Sequence, residues 1–136
     1  MTPIFSNELQ SAIYDALTND TTITSLVGTD IYDARPSGTL PDTFVLIGEE
    51  SVFDRSDKTH SAAIYAVRIS VVTTASGFGG AKTIAAAICN VVEESNLALP
   101  SVNLRRVEFR RAFARRNRSG TERKIELLFR AFIEQD

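Results

Sequence analysis

The sequence predicts an α+β domain with two helices packed on one face of a mainly antiparallel sheet. Three patterns carry this prediction. Apolar residues recur every four positions near the N-terminus, they alternate with polar residues over residues 64–74, and they alternate again along two stretches of the C-terminal third. A chain of 136 residues has the size of one domain, so we expect residues 1–136 to fold as a single unit.

The first helix is predicted over residues 3–18. Thr2 suits an N-cap, and Pro3 suits the first helical position, where its missing N–H costs nothing. The apolar stripe of this helix consists of Phe5, Leu9, Ile13 and Leu17. A further helical turn is expected from Thr22 to Val27, ended by Gly28.

The middle of the chain contains the first predicted strands. Ile31–Tyr32 is expected to be a short strand, and two prolines then exclude regular structure as far as residue 43. Phe44–Glu49 begins with a continuous apolar run, which is typical of a buried strand, and another strand follows over 64–74. Between them, the polar segment 49–63 is expected to be a mobile acidic loop that becomes ordered against a basic surface of a neighbouring molecule.

The C-terminal half should contain a helix and a long β-hairpin. A glycine-rich turn precedes a predicted helix from Ala81 to Ser95. The hairpin turn is expected at Asn117–Gly120, and a slip in the apolar alternation at Arg105–Arg106 predicts a β-bulge there. One face of the return strand should be buried through Ile125, Leu127, Phe129, Ala131 and Ile133.

Acidic and basic residues are separated along the chain. Residues 1–60 contain ten acids and three bases, whereas residues 101–136 contain ten bases and five acids. Surfaces of opposite charge on one small body favour head-to-tail or stacked self-association, because they steer neighbours and set their register. The alternative, equally compatible with charge alone, is two solvated surfaces that balance each other.

The arginines are concentrated on the outgoing strand of the predicted hairpin. Simple alternation places Arg106, Arg110 and Arg116 on one face and Arg105, Arg111 and Arg115 on the other. Phe109 and Phe113 are expected to alternate as core residues. The candidate interaction residues are Glu49, Glu50, Asp54, Asp57, Lys58, Arg105, Arg106, Arg110, Arg111, Arg115, Arg116 and Arg118.

Two functions for the arginines stay open. Such a density of arginine can neutralise phosphates, so a small nucleic-acid-binding module that uses the arginine-rich hairpin is one hypothesis. The acidic isoelectric point of about 5.4 and the core-like phenylalanines favour protein–protein contacts instead. Arginine is enriched at protein interfaces because its planar guanidinium donates several hydrogen bonds.

Catalytic, cofactor-binding and metal-binding residues are not predicted. His60 has no second histidine, and Cys89 lies within a helical apolar stripe, where a small core residue is expected. Ser76–Thr83 resembles a phosphate-binding loop but lacks glycine directly before Lys82. A single cysteine excludes an internal disulfide and indicates folding in a reducing cytoplasm. No apolar run approaches the roughly 18 residues of a membrane span, so no membrane partner is expected.

Several of these patterns together resemble one family. The order of elements is similar to that of the tail-completion, or tail-terminator, proteins of long-tailed bacteriophages, prophages and gene transfer agents. The local patterns that carry the resemblance are Ile31-Tyr32-Asp33, Pro36, Leu40-Pro41, the strand Phe44–Gly48, the loop Asp54–Thr59 and the strand–glycine–helix unit Ala66–Val92.

The resemblance implies a structural virion protein without catalytic residues or cofactors. It implies a homo-oligomeric ring, six-fold in the family, that caps the completed tail tube and joins it to the head–neck connector. The expected partners are other copies of the chain, the tail tube protein and the connector or neck protein, with DNA at most passing through the ring lumen. The protein would be made in the bacterial cytoplasm and incorporated at the tail–neck junction of the particle.

Overall fold

A computed structural model describes residues 1–94 and 96–135. A short 3-10 helix, Pro3–Phe5, opens the chain. The helices and strands that follow are α1 (Ser6–Thr18), α2 (Thr21–Val27), β1 (Ile31–Tyr32), β2 (Thr43–Asp54), β3 (Ser61–Thr73), α3 (Gly79–Glu94), β4 (Asn103–Arg116) and β5 (Arg123–Gln135). Within the described residues the strands form one sheet in the order β1-β2-β3-β5-β4. Only β1 and β2 are parallel, which confirms the α+β class and its C-terminal hairpin.

The helices cover one face of the sheet and form the core with it. Leu9 and Ile13 of α1, and Ile88 of α3, are almost fully buried against sheet residues such as Ile69 and Phe129. The five apolar residues predicted to face one way on β5 are all buried in this core, so the alternation on that strand is confirmed. A sheet covered on one side by helices leaves its second face without a helical layer.

The ends of the helices differ from the predictions in detail. The first turn is 3-10 rather than α-helical, and Thr2 makes no side-chain capping hydrogen bond. The expected extra turn is a seven-residue helix, capped by Asp20, whose carboxylate accepts a hydrogen bond from the Ile23 N–H at 3.0 Å. Gly28 ends it with a φ of 60°, which favours glycine. Helix α3 begins two residues before the predicted start, and Ser95 lies outside the described residues.

The prediction of a long acidic loop over residues 49–63 is wrong. Strand β2 continues to Asp54 and β3 begins at Ser61, so the turn between them spans only six residues. The cause is a β-bulge between Gly48 and Glu50, where Glu49 adopts a φ of 43°. A bulge inserts one residue and reverses the phase of alternation, so the strand cannot be recognised beyond it by period alone.

The C-terminal hairpin contains two bulges. The predicted one between Leu104 and Arg106 is confirmed, and a second lies between Phe109 and Arg111. The predicted turn at Asn117–Gly120 is also confirmed, with Gly120 at a φ of 70°. Because each bulge reverses the phase, the side chains of β4 are distributed differently from the simple alternation assumed above.

Candidate functional site

The sheet face opposite the helices carries a mixed surface of charged and apolar side chains, which we call the open face. The strand registers place alternate residues of β2, β3, β5 and β4 in rows across it. One end is covered by Tyr32 and Arg35, which pack on Phe44 with the Tyr32 ring edge-on and the Arg35 guanidinium 5.6 Å from the ring centre. The rest of the open face has no covering layer among the described residues.

A buried glutamate lies at the centre of the charges on the open face. Glu126 of β5 is only 6% exposed. Its carboxylate lies 3.3 Å from Lys124 Nζ and 3.6 Å from Arg68 Nη1, and it also accepts a hydrogen bond from Arg115. Burial acts to raise the pKa of Glu126, but the Lys124 hydrogen bond and the three positive charges outweigh it and lower the pKa below its ordinary value.

Glu126 and its three basic partners, which we call the Glu126 cluster, extend across the sheet. Arg68 of β3 also pairs with Glu49 of β2, with 2.8 Å between Nη1 and Oε2. A continuous chain of charges therefore runs from Glu49 through Arg68 and Glu126 to Arg115 of β4. It ties four strands together by their side chains, in addition to the backbone ladders.

The arginines and phenylalanines of β4 do not lie where simple alternation placed them. Arg106, Arg111 and Arg115 share the open face, because the second bulge lies between Arg106 and Arg111 and reverses the alternation there. The Arg106 guanidinium lies 3.8 Å from the centre of the Phe132 ring, and that of Arg111 lies 4.0 Å from the centre of the Phe113 ring.

The prediction that Phe109 and Phe113 are core residues is wrong. Phe109 is 40% exposed and Phe113 is 49% exposed. Strand β4 is the edge of the sheet and has solvent beyond it, and the second bulge places the two rings on opposite faces. Phe109 packs edge-on against Phe129 at 6.0 Å, whereas Phe113 lies on the open face.

The predicted interaction residues fall into two sets at opposite edges of the sheet. The acidic edge comprises residues 30–54, which hold six acids and one arginine, and the basic edge comprises β4, which holds six arginines and one glutamate. Asp57 and Lys58 lie in the β2–β3 turn, and Arg118 lies in the β4–β5 turn. Within residues 1–94 and 96–135 the two sets are not in direct contact, and the Glu126 cluster links Glu49 to Arg115.

The sequence did not predict that Arg68 and Lys124 form ion pairs with Glu126. Their alternation did place Arg68 and Glu126 away from the apolar face of their strands. Alternation does not determine the register between β3 and β5. In the structure, Ser70 pairs with Glu126 and Val72 pairs with Lys124. The position of Glu126 between the apolar residues Ile125 and Leu127 is the one signal that pointed to a buried ion cluster.

The remaining candidates for chemistry are isolated. Among residues 1–94 and 96–135, no three His, Cys, Asp or Glu side chains are grouped so as to hold a metal ion. Cys89 is half-buried, and burial raises its pKa, which disfavours the reactive thiolate. His60 is exposed in the β2–β3 turn, 3.4 Å from Asp57. In the described chain, no helix has the length and apolarity needed to cross a membrane.

Comparison with known proteins gives a consistent result. The profile of the family described as tail completion protein gp17 matches residues 11–134. The chain belongs to this family. The sequence-based resemblance to tail-completion proteins is thereby confirmed.

A solved structure extends the likeness to the whole fold of this tail completion protein. The structure is described as the virion of a native gene transfer agent particle, and one of its chains is 41% identical to this one. The superposition has a TM-score of 0.92 and covers 98% of this chain and 99% of the other. Among curated proteins, none is significantly similar.

Family membership determines how the open face and the two edges are interpreted. The tail completion protein is a structural protein of phage-type tails. A structural protein acts through the surfaces that it presents to its neighbours. The exposed arginines, carboxylates and aromatic rings at the edges are therefore candidates for contacts within the particle.

Proposed function

We propose that the protein forms a ring that caps the completed tail tube and joins it to the head–neck connector. The observation that carries this proposal is the likeness, over nearly the whole of both chains, to a chain in the virion of a gene transfer agent particle. The direct partners are then further copies of this chain, the tail tube protein and the connector or neck protein. DNA contact is limited to passage through the ring lumen.

The distribution of charge supports a ring. A basic surface and an acidic surface at opposite edges of one sheet are complementary but not superimposable, so they favour heterologous rather than two-fold contacts. Heterologous contacts close into a ring when the rotation between neighbours is an integral fraction of a turn. Six copies, the number in the family, satisfy that condition.

The protein would be made in the bacterial cytoplasm and incorporated at the tail–neck junction. Assembly on a finished tube provides a reason for the ring to form late, because the tube end presents several binding sites at fixed spacing. Multivalent presentation raises the effective concentration of neighbouring copies. A monomer in isolation is therefore compatible with a ring in the particle.

A deletion strain tests the proposal. Without the gene, the host should accumulate filled heads separate from tails, and the tails should lack a defined length. Supplying the wild-type gene on a plasmid should restore joined particles, whereas a plasmid that encodes only the tube protein should not. Normal joined particles from the deletion strain would overturn the proposed function.

The internal pairing of the β4 arginines disfavours the nucleic-acid-binding hypothesis, although the exposure of Phe109 and Phe113 removes one argument against it. Arg105 is paired with Glu134 at 2.7 Å and Arg106 with Glu108 at 2.8 Å. Arg115 is engaged by Glu126, and Arg111 lies on the Phe113 ring. These four arginines are held by partners within the chain, which leaves their guanidinium groups less free to bind phosphates.

A further inference from the structure

We propose that the basic edge of one copy docks against the acidic edge of a second copy, through arginine–carboxylate pairs flanked by exposed aromatic rings. This inference rests on the proposed ring and assigns the surfaces that would build it. The occupant of each edge is thus another copy of this chain. The tube protein, the connector protein and DNA are the competing occupants.

Charge complementarity is the first reason. The acidic edge has a formal charge of −5 and the basic edge has +5, taking residues 30–54 and 103–116 respectively. The two edges are separated by the width of β3 and β5, so they cannot neutralise each other within one molecule. Between copies, such patches attract over roughly the 8 Å Debye length at physiological salt and set the register of the contact.

The backbone of both edges is accessible. Within the described chain, β1 pairs with β2 only at Val45 and Leu46, so the stretch Glu49–Asp54 has no strand neighbour on that side. All of that stretch is exposed except Val52, which is partly buried. On β4 the segment from Phe109 to Arg116 is exposed throughout.

Bulges decide which kind of contact the edges can make. β4 has two bulges and β2 has one, and bulges twist an edge away from a continuous ladder with another strand. Charged side chains along an edge have the same effect. The contact is therefore expected to be made by side chains rather than by strand addition between copies.

Several charges are available for pairing without loss of a strong internal partner. In the described chain, Arg116 and Arg118 have no carboxylate within ion-pair distance, and Glu50 has no base within that distance. Arg110 has only a loose contact with Glu108, at 3.8 Å. Exposed ion pairs contribute little to stability, so exchanging them for pairs between copies costs little.

Exposed aromatic rings at both edges add an apolar component. Phe53 at the acidic edge is 52% exposed, and Phe113 at the basic edge is 49% exposed. Both lie on the open face according to the strand registers. Aromatic residues and arginine are the residue types enriched at protein interfaces.

Cysteine cross-linking in assembled particles tests the contact. In a Cys89→Ala background, Glu50→Cys is combined with Arg106→Cys, Arg110→Cys or Arg116→Cys in the same chain, and the particles are oxidised. Intramolecular bonding is excluded, since three strand spacings of about 4.8 Å exceed the roughly 7 Å Cα limit of a disulfide. On a non-reducing gel, at least one of the double-cysteine variants should give a ladder of disulfide-linked oligomers. Each single-cysteine variant should give only monomers.

Charge reversal supplies a second measurement with a matched control. Arg110→Glu with Arg116→Glu should lower the yield of joined particles about tenfold or more, because like charges then face each other. Arg55→Glu with Lys82→Glu changes the net charge equally but leaves the basic edge intact, so its yield should be unchanged. Circular dichroism and thermal unfolding should be the same for both variants, since the replaced side chains are exposed.

The outcomes separate the two proposals. A ring visible in particle images, without a ladder from any cysteine pair, overturns the assignment of the edges and leaves the ring function intact. Cross-links to the tube or connector protein, in place of oligomer ladders, also overturn the assignment of the edges to contacts between copies. If the deletion strain makes normal joined particles, the ring function fails first.

Discussion

Replacing Glu126 by glutamine should destabilise the fold without changing its shape. Glutamine has nearly the same volume, so the change removes the charge and leaves the packing of β5 in place. Arg68, Lys124 and Arg115 then lose the one carboxylate that holds them together on the open face. Three cations around an uncharged amide repel one another.

The size of the effect follows from how buried each partner is. Removing one member of a buried ion pair typically costs about 3–5 kcal/mol. Here the carboxylate is buried, but the side chains of Arg68, Lys124 and Arg115 are 39%, 25% and 62% exposed and can turn towards water. We therefore expect a loss of about 1–2 kcal/mol, or about 4–8 °C in Tm for a domain of this size.

Urea unfolding at two pH values measures the effect. Because the folded pKa of Glu126 is lowered, its contribution is present above the ordinary value of 4.5 and is lost as the pH falls through the folded pKa. The difference between wild type and Glu126→Gln should be largest near neutral pH and should shrink on acidification. The control is Glu134→Gln, which removes an exposed pair with Arg105 and should cost below about 0.5 kcal/mol. Equal stabilities of wild type and Glu126→Gln at neutral pH would refute this reasoning.

Other predictions concern the turns, the core and the arginines. Gly120→Ala should destabilise the fold by about 1–2 kcal/mol, because the φ of Gly120 is 70°. Gly80→Ala should stabilise it by about 0.5–1 kcal/mol, because Gly80 belongs to α3 and has open space around it. Thermal unfolding measures both changes. Phe129→Ala should cost about 3–5 kcal/mol in urea unfolding and Phe113→Ala less than about 1 kcal/mol, and equal costs would contradict the burial difference. In a fluorescence titration, isolated wild-type protein should bind duplex DNA weakly, with binding lost near about 150 mM salt; tight binding there would favour the nucleic-acid hypothesis.

Local periodicity allowed much of the fold to be predicted. The i, i+4 stripe from Phe5 to Leu17 and the alternation along β3 and β5 each extend over three or more repeats, so their structures follow from sequence. The bulge near Arg105 was also predictable, since Leu104 and Val107 lie in opposite phases on either side of it. In each case the signal lies within a few residues of the feature.

The features that escaped prediction depend on phase or on distant residues. The bulge at Gly48–Glu50 reverses the alternation inside β2, and the polar residues beyond it therefore resembled a loop. The stretch from Phe109 to Arg116 has charged and apolar residues in both phases, so its second bulge left no trace. The Glu126 cluster depends on the registers between β3, β5 and β4, which sequence periodicity does not determine.

The position of the protein in the particle is the most direct test of the proposed function. A cryo-EM map of intact particles, with tails and necks resolved, should contain this fold as a closed symmetric ring between the end of the tail tube and the connector, with the β4 edge of each copy facing the β1–β2 edge of the next. A map that places the protein elsewhere, or outside any symmetric ring, would contradict the account.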